Sequence, residues 1–199
     1  GRNWEQIRTT ICYNDPPVKI IGSHSGLSVG PDGGSHQALE DIAITRVIPN
    51  MIVISPCDYY EAKKAIIESL KINKPTYIRL TRNDTPTITT EETPFKIGEA
   101  NFVYGPDFGF AEVGIIATGP ILYKAILAAK ELEKQNIKVK VLNISTIKPL
   151  DEDDVLSLAK KKKAIITIED HQISGGLYGA ISEFLSKTKP TIISPIGIK

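Results

Sequence analysis

The sequence predicts an α/β protein built as two doubly wound, mostly parallel α/β units with helices on both sheet faces. Three observations carry that expectation. Short β-branched runs recur along the chain, apolar almost throughout, as strands buried on both faces are. Stretches with helical spacing stand between them. A polar, proline-bearing segment interrupts the alternation near the middle. The 199 residues, 41% hydrophobic and 24% charged, suffice for one large core or two small ones.

In chain order, 18–22 (VKIIG) and 51–55 (MIVIS) read as buried parallel strands flanked by turn residues. QALEDIAITRVI between them has helical spacing, with Leu39, Ile42, Ala43 and Val47 on one face. Asp58 is placed to cap a second helix, YYEAKKAIIESLKI, and TYIRL (76–80) follows as a strand. TRNDTPTITTEETPFK then reads as a linker, about 81–98, so the expected division is 1–90 and 91–199. Beyond it, EVGIIATGP gives a strand and a Gly-Pro turn, with Thr118 as the cap of ILYKAILAAKELEKQN. KVKVLNIS, AIITIED and PTIISPI read as three more strands, with DEDDVLSLAKKKK and GGLYGAISEFLSK as helices between them.

Composition narrows the partners. A net charge of +1 gives no field that would favour nucleic acid or an anionic membrane. No apolar run reaches the roughly 20 residues that span a bilayer. Cys12 and Cys57 have no metal-type spacing and sit in apolar contexts, the pattern of buried reduced thiols in a cytoplasmic protein. The N-terminus lacks the order of a signal peptide and an initiator methionine, so the expectation is a fragment.

The chemistry concentrates in residues 22–37, GSHSGLSVGPDGGSHQ, which hold two of the three histidines among five glycines and one proline. His24, Asp32 and His36 follow a predicted strand end, where ligands bind in open parallel sheets. A facial two-histidine, one-carboxylate metal site is one reading, although the Gly-Gly after Asp32 spoils helical ligand spacing. Solvated loop polars are the plain alternative. Arg82 follows the next strand but one and carries the planar fork that suits a phosphate. Arg79 competes by charge, but strand alternation points it away from the strand mouth. Glu169, Asp170 and His171 form a further polar group at a strand end, for which a structural role of His171 is expected. The lysine run at 160–163 reads as a solvated helix end, and Trp4 as a core or interface aromatic.

GSHSGLSVGPDGGSHQALEDIAITRVIPNMIVISPCDYYEA, with its SH-(x)7-D-(x)3-HQ spacing followed by IPNM and SPCD, resembles the pyrimidine-binding domain of transketolases. The likeness is greatest to the C-terminal subunit of split transketolases, and GRNWEQIRT resembles the helix before that strand. On this resemblance residues 1–90 are the later part of a pyrimidine-type domain and 91–199 a transketolase C-terminal-like domain. The resemblance implies a thiamine-diphosphate-dependent transferase of the pentose phosphate pathway that moves two-carbon ketol units between sugar phosphates. It implies that His24 contacts the sugar phosphate, that Asp32 reads a substrate hydroxyl, and that Arg82 binds the phosphate. It also implies that His36 is the catalytic histidine beside the cofactor's thiazolium. Imidazole suits proton transfer near neutral pH.

The departures shape the expectation as much. The glutamate that activates the aminopyrimidine in relatives has no counterpart here, and the sequence has no GDG motif for the diphosphate and its cation. Thiamine diphosphate with Mg2+ or Ca2+ would then be held by an N-terminal transketolase subunit or domain, with no cofactor-binding or metal residues in this chain. The isolated chain is expected to be inactive, and a homo-oligomer is expected. Two alternatives stand beside this one: a subunit like 1-deoxy-xylulose-5-phosphate synthase, and a non-catalytic dimerisation module.

Overall fold

The computed structural model describes residues 3–106, 111–160 and 162–199. Among them, the first sheet has the order β1-β3-β2-β7. Strands β1 (Lys19–Gly22), β3 (Thr76–Arg79) and β2 (Ile52–Ile54) run parallel. β7 (Thr146–Lys148) lies antiparallel against β2, with Val53 opposite Lys148. The second sheet has the order β4-β6-β5-β8-β9. In it β6 (Val139–Asn143), β5 (Val113–Ala117), β8 (Ala164–Gln172) and β9 (Ile193–Ile198) are parallel. β4 (Asn101–Tyr104) is its antiparallel edge. The parallel alternation matches the expectation; β4 and β7 are additions to it.

The helices form where the apolar spacing demands. α4 (Leu122–Lys134) buries Leu122, Ala125 and Ala129, and α6 (Leu177–Thr188) buries Leu177, Ala180, Ile181 and Leu185. α5 (Glu152–Ala159) is capped by Asp151, which accepts from the Asp154 amide at 3.0 Å, and opens with three acidic residues that suit the helix N-terminus. α3 (Tyr59–Leu70) begins at Asp58, as its sequence indicates.

Two helix readings are corrected. α2 is only Asp41–Arg46, and it buries Ile42 and Thr45 while Val47 is exposed. Pro49 lies just beyond and disfavours helix at the residue before it. Thr118 precedes a 3-10 turn, Gly119–Ile121, and makes no capping bond; its hydroxyl is buried without a partner. Residues 80–100 contain no helix or strand. The N-terminal segment forms α1 (Trp4–Gln6), continuing into a π-helical stretch, Ile7–Cys12, and Trp4 packs partly buried with Nε1 donating to Ile44 O at 2.6 Å. Residue 161 of the lysine run lies outside the described residues.

One apolar core crosses both sheets. It joins Ile42, Met51, Val53 and Tyr77 of the first unit to Ile116, Leu142, Leu158 and Leu177 of the second. Separate cores lie under α4 and under α3. The sheets meet at the carboxyl ends of their parallel strands: Ser55 N donates to Ser145 O at 2.7 Å, and Gly119 N donates to Ser55 O at 3.1 Å. That meeting of strand ends sets where polar loops collect.

Candidate active site

The segment after β1 is stitched down before it is presented. Ser25 donates both its amide, at 3.1 Å, and its hydroxyl, at 2.8 Å, to Leu80 O beyond β3. Ser28 Oγ lies 2.6 Å from Thr81 Oγ1. Gly26 N donates to Ala38 O at 2.9 Å, which brings the two ends of the loop together. Between these anchors runs a 3-10 stretch, Leu27–Asp32, held inward by the buried Val29.

The four residues named from the sequence all emerge from this frame and are exposed. His24 leaves the end of β1 with a left-handed φ of 61° and Nδ1 3.1 Å from Ser23 Oγ. Asp32 ends the 3-10 stretch. His36 has Nδ1 3.0 Å from Ser35 Oγ, and its amide donates to Gly33 O at 3.0 Å. Arg82 leaves the end of β3 and donates Nη1 to Val29 O at 2.7 Å. The structure thus ties Arg82 to the loop that carries Asp32 and His36, and β1 and β3 are adjacent parallel strands. No hydrogen bond or ion pair joins any two of the four side chains.

Arg79 plays a different part from Arg82. It is 4% exposed, donates Nε to Asp41 Oδ2 at 2.9 Å, and donates Nη2 to Asp170 O at 2.8 Å and Ala38 O at 3.2 Å. Tyr77 OH donates to the same Asp41 oxygen at 2.8 Å. Burial, then Asp41, pushes the Tyr77 phenol well above its ordinary value. Arg79 is consumed by the fold and has no fork left for a ligand. The three partners were invisible in the sequence because they come from distant segments.

The polar group at the end of β8 is also internal. His171 is fully buried; its Nε2 accepts from the Ile42 amide at 3.1 Å and the Ala43 amide at 3.3 Å, while Nδ1 lies 2.6 Å from Gln172 O. Those partners fix the neutral tautomer with the proton on Nδ1. Burial lowers its pKa. Glu169 accepts from the amides of Leu177, at 2.7 Å, and Tyr178, at 2.8 Å, at the start of α6. Burial pushes it up to about 7, against the pull of those amides and of Arg79 and Arg46. The structural role expected for His171 holds.

A further buried carboxylate, Glu61, escaped the sequence reading. It accepts from the Cys57 amide at 2.6 Å and from Asn143 Nδ2 at 2.7 Å. The signal was present: Asp58 and Glu61 have capping-box spacing, and the Glu61 amide does donate to Asp58 Oδ1 at 3.0 Å. Asp58 also accepts from Ile88 N, Thr89 N and Thr89 Oγ1, so the helix cap doubles as a clip for residues 88–89. Burial opposes the Asp58 carboxylate, yet these bonds together bring its pKa below the ordinary value.

Two clefts flank the segment after β3. One of about 390 Å³ lies between Pro56–Tyr59 and residues 80–85. The other, about 320 Å³, takes in Ser28, Thr81, Lys124 and Asp170. A larger apolar groove of about 620 Å³ runs along Arg8, Cys12, Tyr13 and Ile48, and neither it nor the two clefts is lined by His24, Asp32, His36 or Arg82.

Comparison with known proteins places the chain in a family. Residues 1–87 match the family model of the transketolase pyrimidine-binding domain, and residues 110–194 match that of the transketolase C-terminal domain. A Methanocaldococcus jannaschii protein described as the C-terminal section of a transketolase is 41% identical over 94% of this chain and 57% of its own length. The 6-deoxy-6-sulfo-D-fructose transketolase subunit of Clostridium sp. MSTE9 is 35% identical over 98% of this chain and 59% of its own. The chain therefore spans less than two-thirds of these curated relatives. The solved structure of a split gene transketolase, an inactive β4 tetramer, superposes with a TM-score of 0.90 at 34% identity, covering 100% of this chain and 63% of that one. With both domain models satisfied in order and the fold reproduced, the chain belongs to the transketolase family, carrying sequence of its pyrimidine-binding and C-terminal domains.

Proposed function

We propose that this chain supplies the substrate-anion side of a split, thiamine-diphosphate-dependent transketolase active site, completed by an N-terminal subunit. The observation that supports this best is the pairing of Arg82 with the 23–37 loop through Val29 O. It holds a permanent cation beside the segment that carries His24, Asp32 and His36. Guanidinium offers a fork to the anionic end of a sugar phosphate. Asp32 accepts a hydrogen bond from a hydroxyl of the sugar chain. His36 exchanges a proton with a substrate oxygen nearer the reacting carbon.

Thiamine diphosphate supplies the two-carbon carrier chemistry in such an enzyme. The residues described here do not fit its charged end: they contain no group of three or more His, Cys, Asp or Glu able to hold a cation, and the sequence has no GDG. The diphosphate and its cation are therefore assigned to the partner, and no step is routed through them here. The pentose phosphate pathway, a cytoplasmic setting and a homo-oligomer belong to the same reading.

The test is Arg82→Ala in the enzyme assembled with its N-terminal subunit. KM for a phosphorylated donor should rise about ten- to a hundredfold, the loss of one charge-assisted contact, with hydroxypyruvate far less affected. His36→Ala should instead lower kcat with either donor. A sulfonated sugar in parallel asks whether the same fork takes that anion, since one relative is named for a sulfo-sugar. Equal losses for phosphorylated and unphosphorylated donors would overturn the assignment of Arg82.

A further inference from the structure

We infer that Asp170, in the second unit, is a positioning residue for the substrate loop, so that this unit takes part in substrate binding from outside the site. The inference rests on the reading of residues 23–37 given above. Both carboxylate oxygens of Asp170 accept from the Leu27 amide, each at 3.2 Å. Gly26, just before it, sits directly over the carboxylate with φ of 79°; a Cβ there would lie 1.9 Å from Oδ2. Glycine is required at 26 both for the left-handed backbone and for the close approach.

The neighbours of Asp170 hold the rest of the loop. Gln172 N donates to Leu39 O at 2.8 Å, and His171 Nε2 takes the Ile42 and Ala43 amides. Arg79 joins Asp170 O to Ala38 O. Three consecutive residues of β8 therefore grip the segment from 27 to 43 at four places. The contact made by Asp170 differs from the others. It alone falls between His24 and Asp32, and it alone is made by a carboxylate. On the opposite side the loop is held by Leu80, Thr81 and Arg82. Removing Asp170 frees one wall while leaving the other walls intact. Residues 30–36 have only short internal bonds, so the directions of His24, Asp32 and His36 follow from how firmly 25–29 is seated. Side chains that must meet a small sugar need such support.

The experiment compares Asp170→Ala, Asp170→Asn and Gly26→Ala with the unaltered chain by amide hydrogen exchange, and then by steady-state kinetics in the assembled enzyme. In Asp170→Ala, exchange at Leu27 should quicken about tenfold, with amides inside β8 and β5 unchanged. KM for the phosphorylated donor should rise about five- to twentyfold, with kcat for hydroxypyruvate reduced less than about threefold. Asp170→Asn keeps an acceptor and should recover most of both. Gly26→Ala, which drives a methyl into the carboxylate, should reproduce the Asp170→Ala pattern. Unchanged exchange at Leu27 in Asp170→Ala would overturn the inference. So would a loss of protection spread evenly through β8 and β5, which marks general destabilisation. Failure of the substrate reading shows separately, as an Arg82→Ala enzyme with unaltered KM, while the exchange at Leu27 still reports on Asp170.

Discussion

Asn143, the last residue of β6 in the second sheet, donates its side-chain amide to Glu61, in the first turn of α3 in the first unit, at 2.7 Å. Both residues are buried, and the other Glu61 oxygen accepts from Cys57 N. A buried acceptor left without its donor costs more than the bond contributes on average. Burial also raises the Glu61 pKa, against the pull of its Cys57 and Asn143 donors. A double-mutant cycle with Glu61→Ala and Asn143→Ala should give a coupling energy of about 1–3 kcal/mol. Urea unfolding followed at one probe in each unit is the measurement. The two probes should report one transition, since the bond and the shared core link the units.

Glu169 and His171 should give the stability a pH dependence with opposing arms. Glu169 is raised to about 7 by burial, so its contribution is complete below the unfolded carboxyl value and fades as pH rises through about 7. His171 is lowered by burial, so its contribution is present above the ordinary imidazole range and is lost as pH falls through its lowered value. Glu169→Gln removes the first arm. Denaturation at about pH 5 and about pH 8 should show the unaltered chain losing stability relative to this variant toward the alkaline side. A difference that does not change with pH would count against a protonated Glu169 in the folded state.

Cys12 and Cys57 are free and buried, at 1% and 0% exposure. Burial raises both thiols, and for Cys57 the nearby Glu61 and Asp58 carboxylates raise it further. Thiolate is the reactive form, so neither residue should react with an aromatic disulfide reagent in the folded protein. Both should react once the chain is unfolded in guanidinium. Prompt release of one equivalent from the native chain would contradict this.

The parts of this molecule that were legible in its sequence are those written in local repetition. Strands such as MIVIS and helices such as ILYKAILAAKELEK announce themselves by composition and period. The 23–37 loop announces itself by crowding histidine, aspartate and glycine at a strand end. What stayed hidden depends on distant partners. β7 is three residues in STIKP, too short for alternation, and it becomes a strand only because β2 offers it an edge. Arg79 and Arg82 look alike in RLTRND, yet one is enclosed by Asp41, Ala38 and Asp170 while the other stays exposed beside Val29. Asp170 carries no local mark of its hold on Leu27, because that hold spans most of the chain.

The β7 strand has a consequence for synthesis. The first sheet is bordered by a segment some ninety residues downstream of the strand it covers, so during translation β2 stands open along one side until residues 146–148 have left the ribosome. An uncovered strand edge invites pairing with another chain, and closing so long a loop is entropically slow. A nascent chain halted near residue 100 would therefore be the form most in need of a chaperone, and a truncation there should yield aggregate rather than a smaller soluble domain.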